Sequence, residues 1–186
     1  MSLPKHKYLL TYRYSEIIFD LTMDFCKSFV AGYGQKRTRE QMEQAARSGK
    51  QNIIEGIGQS ATSKRGEMKL LGVAKASQEE LLADYEDFLR NRNLPIWPKT
   101  DGKVSKLRHY AFRISALSNV SDLGYLKEKP KLPENPEIAA NLLLTLCHQV
   151  TYLLSKQIQK AEDDFVKNGG FTEKLFQKRL QSKMHS

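Results

Sequence analysis

The chain has 186 residues, 40% of them hydrophobic and 27% charged, which is enough for one domain that folds without a metal or disulfide. Its two cysteines, Cys26 and Cys147, lie in apolar helical segments, which excludes a disulfide framework and indicates buried thiols in a cytoplasmic protein. The formal net charge of +9 favours acidic partners, of which nucleic acid is the commonest.

A first amphipathic helix is predicted over residues 15–33, where apolar residues recur at helical spacing. Ser15 is a plausible N-cap, because its hydroxyl can accept a hydrogen bond from the first turn. Residues 8–14 offer an upstream extension of the same helix. Gly32 and Gly34 are expected to end it.

A second helix is predicted over residues 38–57, where Thr38 followed by Gln41 forms a capping-box pattern. Its inward positions are small residues. Gly49 lies in mid-helix, where glycine costs about 1 kcal/mol relative to alanine, so its presence indicates close packing against a neighbouring helix.

A third helix is predicted over residues 63–94, with Ser63 or Thr62 as its cap. Glu67 lies in the first turns, where the helix dipole favours an acid. Pro95 is expected to stop the helix, because the residue before a proline avoids the α region.

Residues 95–133 read as a basic insertion between the third and fourth long helices, with one short amphipathic stretch over residues 104–117. This insertion contains four prolines and eight basic residues against three acidic ones, a net charge of +5. The basic residues are Lys99, Lys103, Lys106, Arg108, Arg113, Lys127, Lys129 and Lys131, and the acidic ones are Asp101, Asp122 and Glu128.

The fourth long helix is predicted to begin near Glu134 or Pro136 and to end at Gly169 and Gly170. Residues 138–154 are apolar on more than one side, so one side can serve the core and the other is expected to contact another copy of the chain. Either Leu143 or Leu144 is expected to lie at that contact. The run is too short and too polar for a membrane span, and no membrane partner is expected.

A short basic helix over residues 172–183 is predicted within the C-terminal suffix, residues 171–186. From Lys167 to the end, five basic residues against one acidic residue give a net charge of +4. The remainder of the chain is therefore close to neutral, and the basic excess is concentrated in the insertion and the suffix.

No catalytic residues, metal ligands or cofactor are predicted. The four histidines lack metal-ligand spacing to cysteine, histidine or carboxylate residues. Cys147 and His148 are adjacent, so on a helix they point about 100° apart, which disfavours a thiolate–imidazole pair. The chain is expected to be all-α and not an enzyme.

Residues 41–89 carry an ordered set of features that resembles a known family. The set comprises Ala45 and Ala46, Asn52 and Ile53, Glu55 and Gly56, Ser63, Glu67, and the Ala-Ser-Gln-Glu-Glu stretch at 76–80. It is similar to the bacterial four-helix bundle family first described as the protein encoded in intervening sequences of 23S ribosomal RNA genes. The N-terminal and C-terminal segments resemble its longer subfamily with a C-terminal suffix.

The resemblance implies one antiparallel four-helix bundle domain over residues 1–186. Relatives in that family include the accessory variability protein of diversity-generating retroelements, a pentameric barrel with a basic surface that binds nucleic acid and a reverse transcriptase. The implied partners are therefore other copies of the chain, with a pentamer favoured, RNA or DNA, and a nucleic-acid enzyme such as a reverse transcriptase.

Two functions remain open at this point: a homo-oligomeric bundle that binds nucleic acid through basic patches, and a structural or protein-interaction scaffold. For the first, the expected contact residues are Lys103, Lys106, Arg108 and Arg113, followed by Lys174, Lys178 and Arg179. His109 and Tyr110 lie among them and can stack on bases, although packing against the bundle is the expected use of Tyr110.

Overall fold

The computed structural model describes residues 3–118 and 126–184. Within these ranges the chain is all-helical, and apart from one isolated bridge between Leu117 and Leu126 it forms no β-structure. A short 3-10 helix, Lys5–Tyr8, precedes six α-helices. These are α1 (Leu10–Phe29), α2 (Lys36–Gln59), α3 (Lys64–Asn91), α4 (Gly102–Ile114), α5 (Pro136–Asn168) and α6 (Phe171–Met184).

Four long helices enclose the core. α1 packs against α2 and α5, and α3 also packs against α2 and α5. The Phe25 ring makes edge-on contacts with Tyr85 and Phe88, at centroid distances of 5.1 and 4.7 Å. The Tyr85 hydroxyl is 2.7 Å from the Thr22 hydroxyl, so the one polar group of this buried ring has a hydrogen-bond partner. Burial of such apolar side chains is the main source of stability.

Two of the predicted helix starts are confirmed. Ser63 caps α3, with its hydroxyl accepting a hydrogen bond from the amide of Gly66 at 3.0 Å. Asn135 caps α5 by accepting from the amide of Ile138 at 3.1 Å, and Pro136 occupies the first turn. The predicted end of α5 is also confirmed, because the helix stops at Asn168 and is followed by Gly169, whose φ of 65° favours glycine.

Two predicted caps are wrong. Ser15 is fully buried inside α1, which begins at Leu10, because buried Thr11, Tyr12 and Tyr14 continue the inward face upstream. Thr38 lies inside α2, which begins at Lys36. In both cases a hydroxyl residue near the start of the apolar pattern was mistaken for the boundary of the helix.

The predicted insertion contains a packed helix. α4 lies on α5, and its buried residues are Val104, Ala111 and Ile114. Residues 119–125, which include Asp122 of the predicted charge count, and residues 185–186 of the suffix lie outside the described ranges.

The second apolar side of α5 is covered by α4 of the same chain. Leu143 and Leu144 are both buried, at 0% and 4% exposure, so the prediction that one of them faces outward is wrong. A stretch within Pro136–Lys183 is long and apolar enough to cross a membrane by length and composition alone, and 61% of that window is buried inside the protein. Core helices meet the same criterion, so this composition is explained by packing against α1, α3 and α4.

Candidate nucleic-acid interface

α4 is capped at its start and is bonded to α1 just beyond its end. At its start, Asp101 caps the helix by accepting a hydrogen bond from the Lys103 amide at 2.8 Å. Just beyond its end, the carbonyl of Ser115 accepts a hydrogen bond from the Arg13 guanidinium of α1 at 2.5 Å. Between them Val104, Ala111 and Ile114 are buried. The outward side chains of α4 therefore project from a fixed support.

The segment that leads into α4 is hydrogen-bonded to α5. The buried side chain of Asn141 accepts from the Trp97 amide at 2.9 Å and donates to the Pro95 carbonyl at 3.0 Å. The indole N–H of Trp97 donates to the Glu137 carboxylate at 2.7 Å. These bonds set the position of the Trp97 ring.

Three of the predicted contact residues, Lys103, Lys106 and Arg108, are exposed on α4. Among the described residues, no carboxylate forms an ion pair with any of them. The Lys103 ammonium lies 4.6 Å from the centre of the Trp97 ring. We call these three residues, together with exposed Lys99, the basic patch.

The basic patch occupies two sides of α4. Lys103 and Lys106 are three residues apart and share one side of the helix. Arg108 lies about 140° around the helix from Lys103, on the side that adjoins α5. The patch therefore faces both open solvent and the junction of α4 with α5.

Arg113 differs from the other predicted residues of α4 because it is already paired. Its guanidinium is 2.8 Å from the Glu128 carboxylate and stacks 5.3 Å from the centre of the Tyr110 ring. Tyr110 is half-buried against the core and hydrogen-bonds through its hydroxyl to the backbone of Lys131. The expectation that Tyr110 packs inward is thus confirmed for the helical core, and Arg113 holds the chain after α4 in place.

A cleft of about 340 Å³ lies between the 96–99 segment, α4 and α5. Arg108 and Lys99 line it together with Trp97, and α5 contributes His148, Gln149 and Tyr152. The Gln149 side-chain oxygen is buried and accepts no hydrogen bond from any described residue. The cleft therefore combines aromatic rings, two cations and an amide oxygen without a described partner.

The charge at the cleft is positive. Partial burial lowers the pKa of His148, and the charges of Lys99 and Arg108 lower it further, while Glu86 partly offsets them. The imidazole is therefore mostly neutral at pH 7 and can both donate and accept a hydrogen bond. The positive charge comes from the lysine and the arginine.

Most cleft residues were not predicted as site residues. Trp97 and Tyr152 are far apart in sequence, and only the packing of α4 on α5 brings them to one cleft. Two signals were present in the sequence. The chain has a single tryptophan, which lies between Pro95 and Pro98, and His148 and Tyr152 are four residues apart and therefore neighbours on one side of the fourth long helix.

The second predicted set, Lys174, Lys178 and Arg179, is exposed on α6. Lys174 lies close enough to Asp164 near the end of α5 to lower the pKa of that carboxylate, although Asn168 and Lys64 contribute more. The cleft adjoins residues 141–152 of α5. At 1.5 Å per residue, the two basic regions are on the order of 25 Å apart along α5, so they do not form one surface.

The remaining reactive groups are placed as structural residues. Cys147 is fully buried, and its thiol lies 3.9 Å from the Gln78 side-chain oxygen. Burial raises the pKa of both Cys147 and Cys26, in the latter case to about 12. Neither thiol is therefore ionised near pH 7. Over residues 3–118 and 126–184, no group of three or more potential ligands could hold a metal ion.

No protein-family model, curated protein or solved structure matches this chain.

Proposed function

We propose that this protein is a non-enzymatic, homo-oligomeric, cytoplasmic helical bundle that binds RNA or DNA through the basic patch. The observation that carries the proposal is a set of three exposed cations, Lys103, Lys106 and Arg108, that form no ion pair with any described carboxylate. They are held on a helix that packs on α5 and is bonded to α1 just beyond its end. Cations on a fixed support can contact successive phosphates at a smaller entropic cost than cations on a mobile loop.

The charge distribution supports nucleic acid over a small acidic ligand for the outer side of the patch. Lys103 and Lys106 face open solvent rather than a pocket, as expected for contacts with an extended backbone. Arg113 is a weaker candidate for a phosphate contact than its position in the sequence indicates, because its charge is balanced by Glu128. Lys174, Lys178 and Arg179 form a separate second surface.

We further propose that α1, α2, α3 and α5 form an antiparallel four-helix bundle of the family that the sequence resembles. Two pairs of contacting residues between α3 and α5 support this arrangement: Lys64 with Asp164 at 3.5 Å and Gln78 with Cys147 at 3.9 Å. Residue numbers rise along α3 from the first pair to the second and fall along α5, so these two helices are antiparallel. The expectations of a pentamer and of a nucleic-acid enzyme as partner rest on the resemblance.

Self-association is supported by α6 rather than by α5. Large apolar side chains of α6 are exposed, including Phe171 at 49% and Phe176 at 61%. Exposed apolar side chains grouped on one short helix are typical of a protein–protein contact.

The test of nucleic-acid binding compares three proteins in titrations of a labelled oligonucleotide at low salt. The wild type is expected to bind, and the Lys103/Lys106/Arg108→Ala variant to bind at least about tenfold more weakly, since charged hydrogen bonds contribute about 1.5–3 kcal/mol each. The control, Arg37/Arg47/Lys69→Ala, removes three exposed cations from α2 and α3. This control has the same net charge as the Lys103/Lys106/Arg108→Ala variant, and it is expected to bind nearly as well as the wild type.

The second candidate function is a structural or protein-interaction scaffold. The same exposed apolar residues of α6 favour it, because they can serve a different protein as well as a second copy. Absence of oligonucleotide binding by the wild type at low salt would favour the scaffold over the nucleic-acid function.

A further inference from the structure

We infer that the cleft between the 96–99 segment, α4 and α5 binds one unpaired nucleotide, with the base held in the cleft and its phosphate at Lys99 and Arg108. This inference rests on the proposed function insofar as the nucleotide belongs to a bound strand. It adds a preference for single-stranded nucleic acid, which the basic patch alone would not give.

The size and walls of the cleft fit a planar ring. About 340 Å³ is at the lower end of the range for small-ligand sites. Trp97 and Tyr152 both line it, and Tyr152 is 62% exposed. Any of the bases can stack on such side chains, because every base has a π-face.

The polar groups supply what a nucleotide needs beyond stacking. Lys99 and Arg108 place two cations at the cleft, where a phosphate is the matching charge. Gln149 lines the cleft with a side-chain oxygen that is buried and has no described partner, and a rotation of its side chain would present the amide to the edge of a base. The half-exposed imidazole of His148 offers a further donor or acceptor.

Trp97 is fixed in place without a ligand. Its amide and its indole N–H are both bonded to α5, at 2.9 and 2.7 Å. Asn141, which holds the 95–97 backbone, is only 3% exposed. A preorganised wall reduces the entropy lost on binding, as expected for a ligand site rather than an accidental gap.

A duplex is the wrong shape for the cleft. Its bases are stacked inside and cannot enter without unpairing, which costs a few kcal/mol per base. A duplex can still contact Lys103 and Lys106 through its phosphates. Single-stranded and duplex ligands are therefore expected to bind the same surface, but only the single strand places a base beside Trp97.

The single tryptophan provides the readout, because Trp97 lines the cleft. Its fluorescence is followed during titration with a single strand of about 12 nucleotides, a length within the usual site size. The same strand annealed to its complement and free adenosine monophosphate form the other two arms, and anisotropy of labelled strands reports binding separately. The single strand is expected to quench Trp97 saturably, and the duplex to bind without comparable quenching.

Two variants tie the signal to the cleft. Tyr152→Ala is expected to weaken single-strand binding on the order of tenfold, as for loss of one stacked base, and to leave duplex binding unchanged. Phe112→Ala, which removes a 69% exposed ring of α4 outside the cleft, is expected to change neither.

The outcomes separate the two proposals. A single strand that binds by anisotropy but leaves Trp97 emission unchanged would overturn the inference and leave the proposed function standing. Quenching by free adenosine monophosphate without binding of either strand would support a nucleotide site and contradict the proposed function. If no arm quenches Trp97, the cleft is not a nucleotide site.

Discussion

Gly49 in α2 makes room for a buried polar side chain. A Cβ at this position would lie 2.1 Å from the side-chain nitrogen of Gln78 in α3. Gln78 is itself fully buried, and its oxygen faces the Cys147 thiol of α5. The close approach of helices that a mid-helix glycine predicts is confirmed here, and its cause is the amide of Gln78.

Gly49→Ala is therefore expected to lower the free energy of unfolding by about 1–2 kcal/mol, because overpacking outweighs the gain in helix propensity. Gly72→Ala in α3 is the matched control, since a Cβ there has nothing within 4 Å. The control is expected to stabilise the protein by up to about 1 kcal/mol. Urea denaturation measures both, and equal stabilisation by the two substitutions would contradict the assigned contact.

Asp84 is expected to make stability depend on pH. Burial, together with the smaller effect of the negative charges of Asp87 and Glu80, raises the pKa of this carboxyl from 3.8 to about 6. The folded state therefore binds the proton more tightly than the unfolded state, so this group favours folding more at pH 4 than at pH 7.

Asp84→Asn removes the unfavourable charge. The variant is expected to melt at a higher temperature than wild type near pH 7.5, and the difference should shrink as the pH falls through about 6 towards about 4. The control, Asp163→Asn on the exposed side of α5, makes the same charge change. A constant difference across this pH range would show that Asp84 is not the group responsible.

At the scale of the elements, Asn141 joins the segment before α4 to α5. Asn141→Leu would leave the Trp97 amide and the Pro95 carbonyl without this partner, and we expect a loss of about 2–3 kcal/mol in the free energy of unfolding. The Trp97 emission should also shift towards that of a more exposed ring. Thr145→Val is the control, because its hydroxyl bonds only within α5, to the Asn141 carbonyl. A wild-type emission spectrum for Asn141→Leu would contradict this role.

The helices of this protein were largely predictable from sequence, because their periodicity and several end signals are local properties. Ser63, Pro136 and Gly169 act through neighbours within one turn and were identified correctly. The predicted caps at Ser15 and Thr38 are wrong because a capping hydroxyl looks the same in sequence as a hydroxyl inside a helix, whether buried like Ser15 or exposed like Thr38. Which helix covers the second side of α5 depends on contacts between distant segments, and local patterns do not contain that information.

The same limit applied to the site. Lys103, Lys106 and Arg108 were predicted from charge and spacing, and they are exposed as expected. Arg113 pairs with Glu128, which lies beyond the end of α4. Because a count of charges does not show which residues pair, it overestimated the charge that Arg113 offers to a ligand. The cleft itself was not predicted, although Arg108 was, because its aromatic residues, Trp97 and Tyr152, come from separate parts of the chain.

At the scale of the whole molecule, we expect removal of α6 to abolish the proposed self-association and to leave the rest of the chain folded. Leu175 and Leu180 are 46% and 48% exposed, so little of this helix is used in the core. A chain that ends at Asn168 is expected to keep its thermal midpoint within a few degrees and to lose self-association. Light scattering on both chains checks this, and a full-length chain that is already monomeric at micromolar concentration would contradict the homo-oligomer.

The central claim, that the basic patch binds nucleic acid, is tested most directly by the salt dependence of binding. For a single strand, the logarithm of the association constant should fall linearly with the logarithm of salt concentration, with a slope of about −0.7 per neutralised phosphate. We expect a wild-type slope of about −2 or steeper, since at least the three cations Lys103, Lys106 and Arg108 are available, and a slope closer to zero for the Lys103/Lys106/Arg108→Ala variant. No measurable wild-type binding at about 50 mM salt, or identical slopes for the two proteins, would contradict the claim.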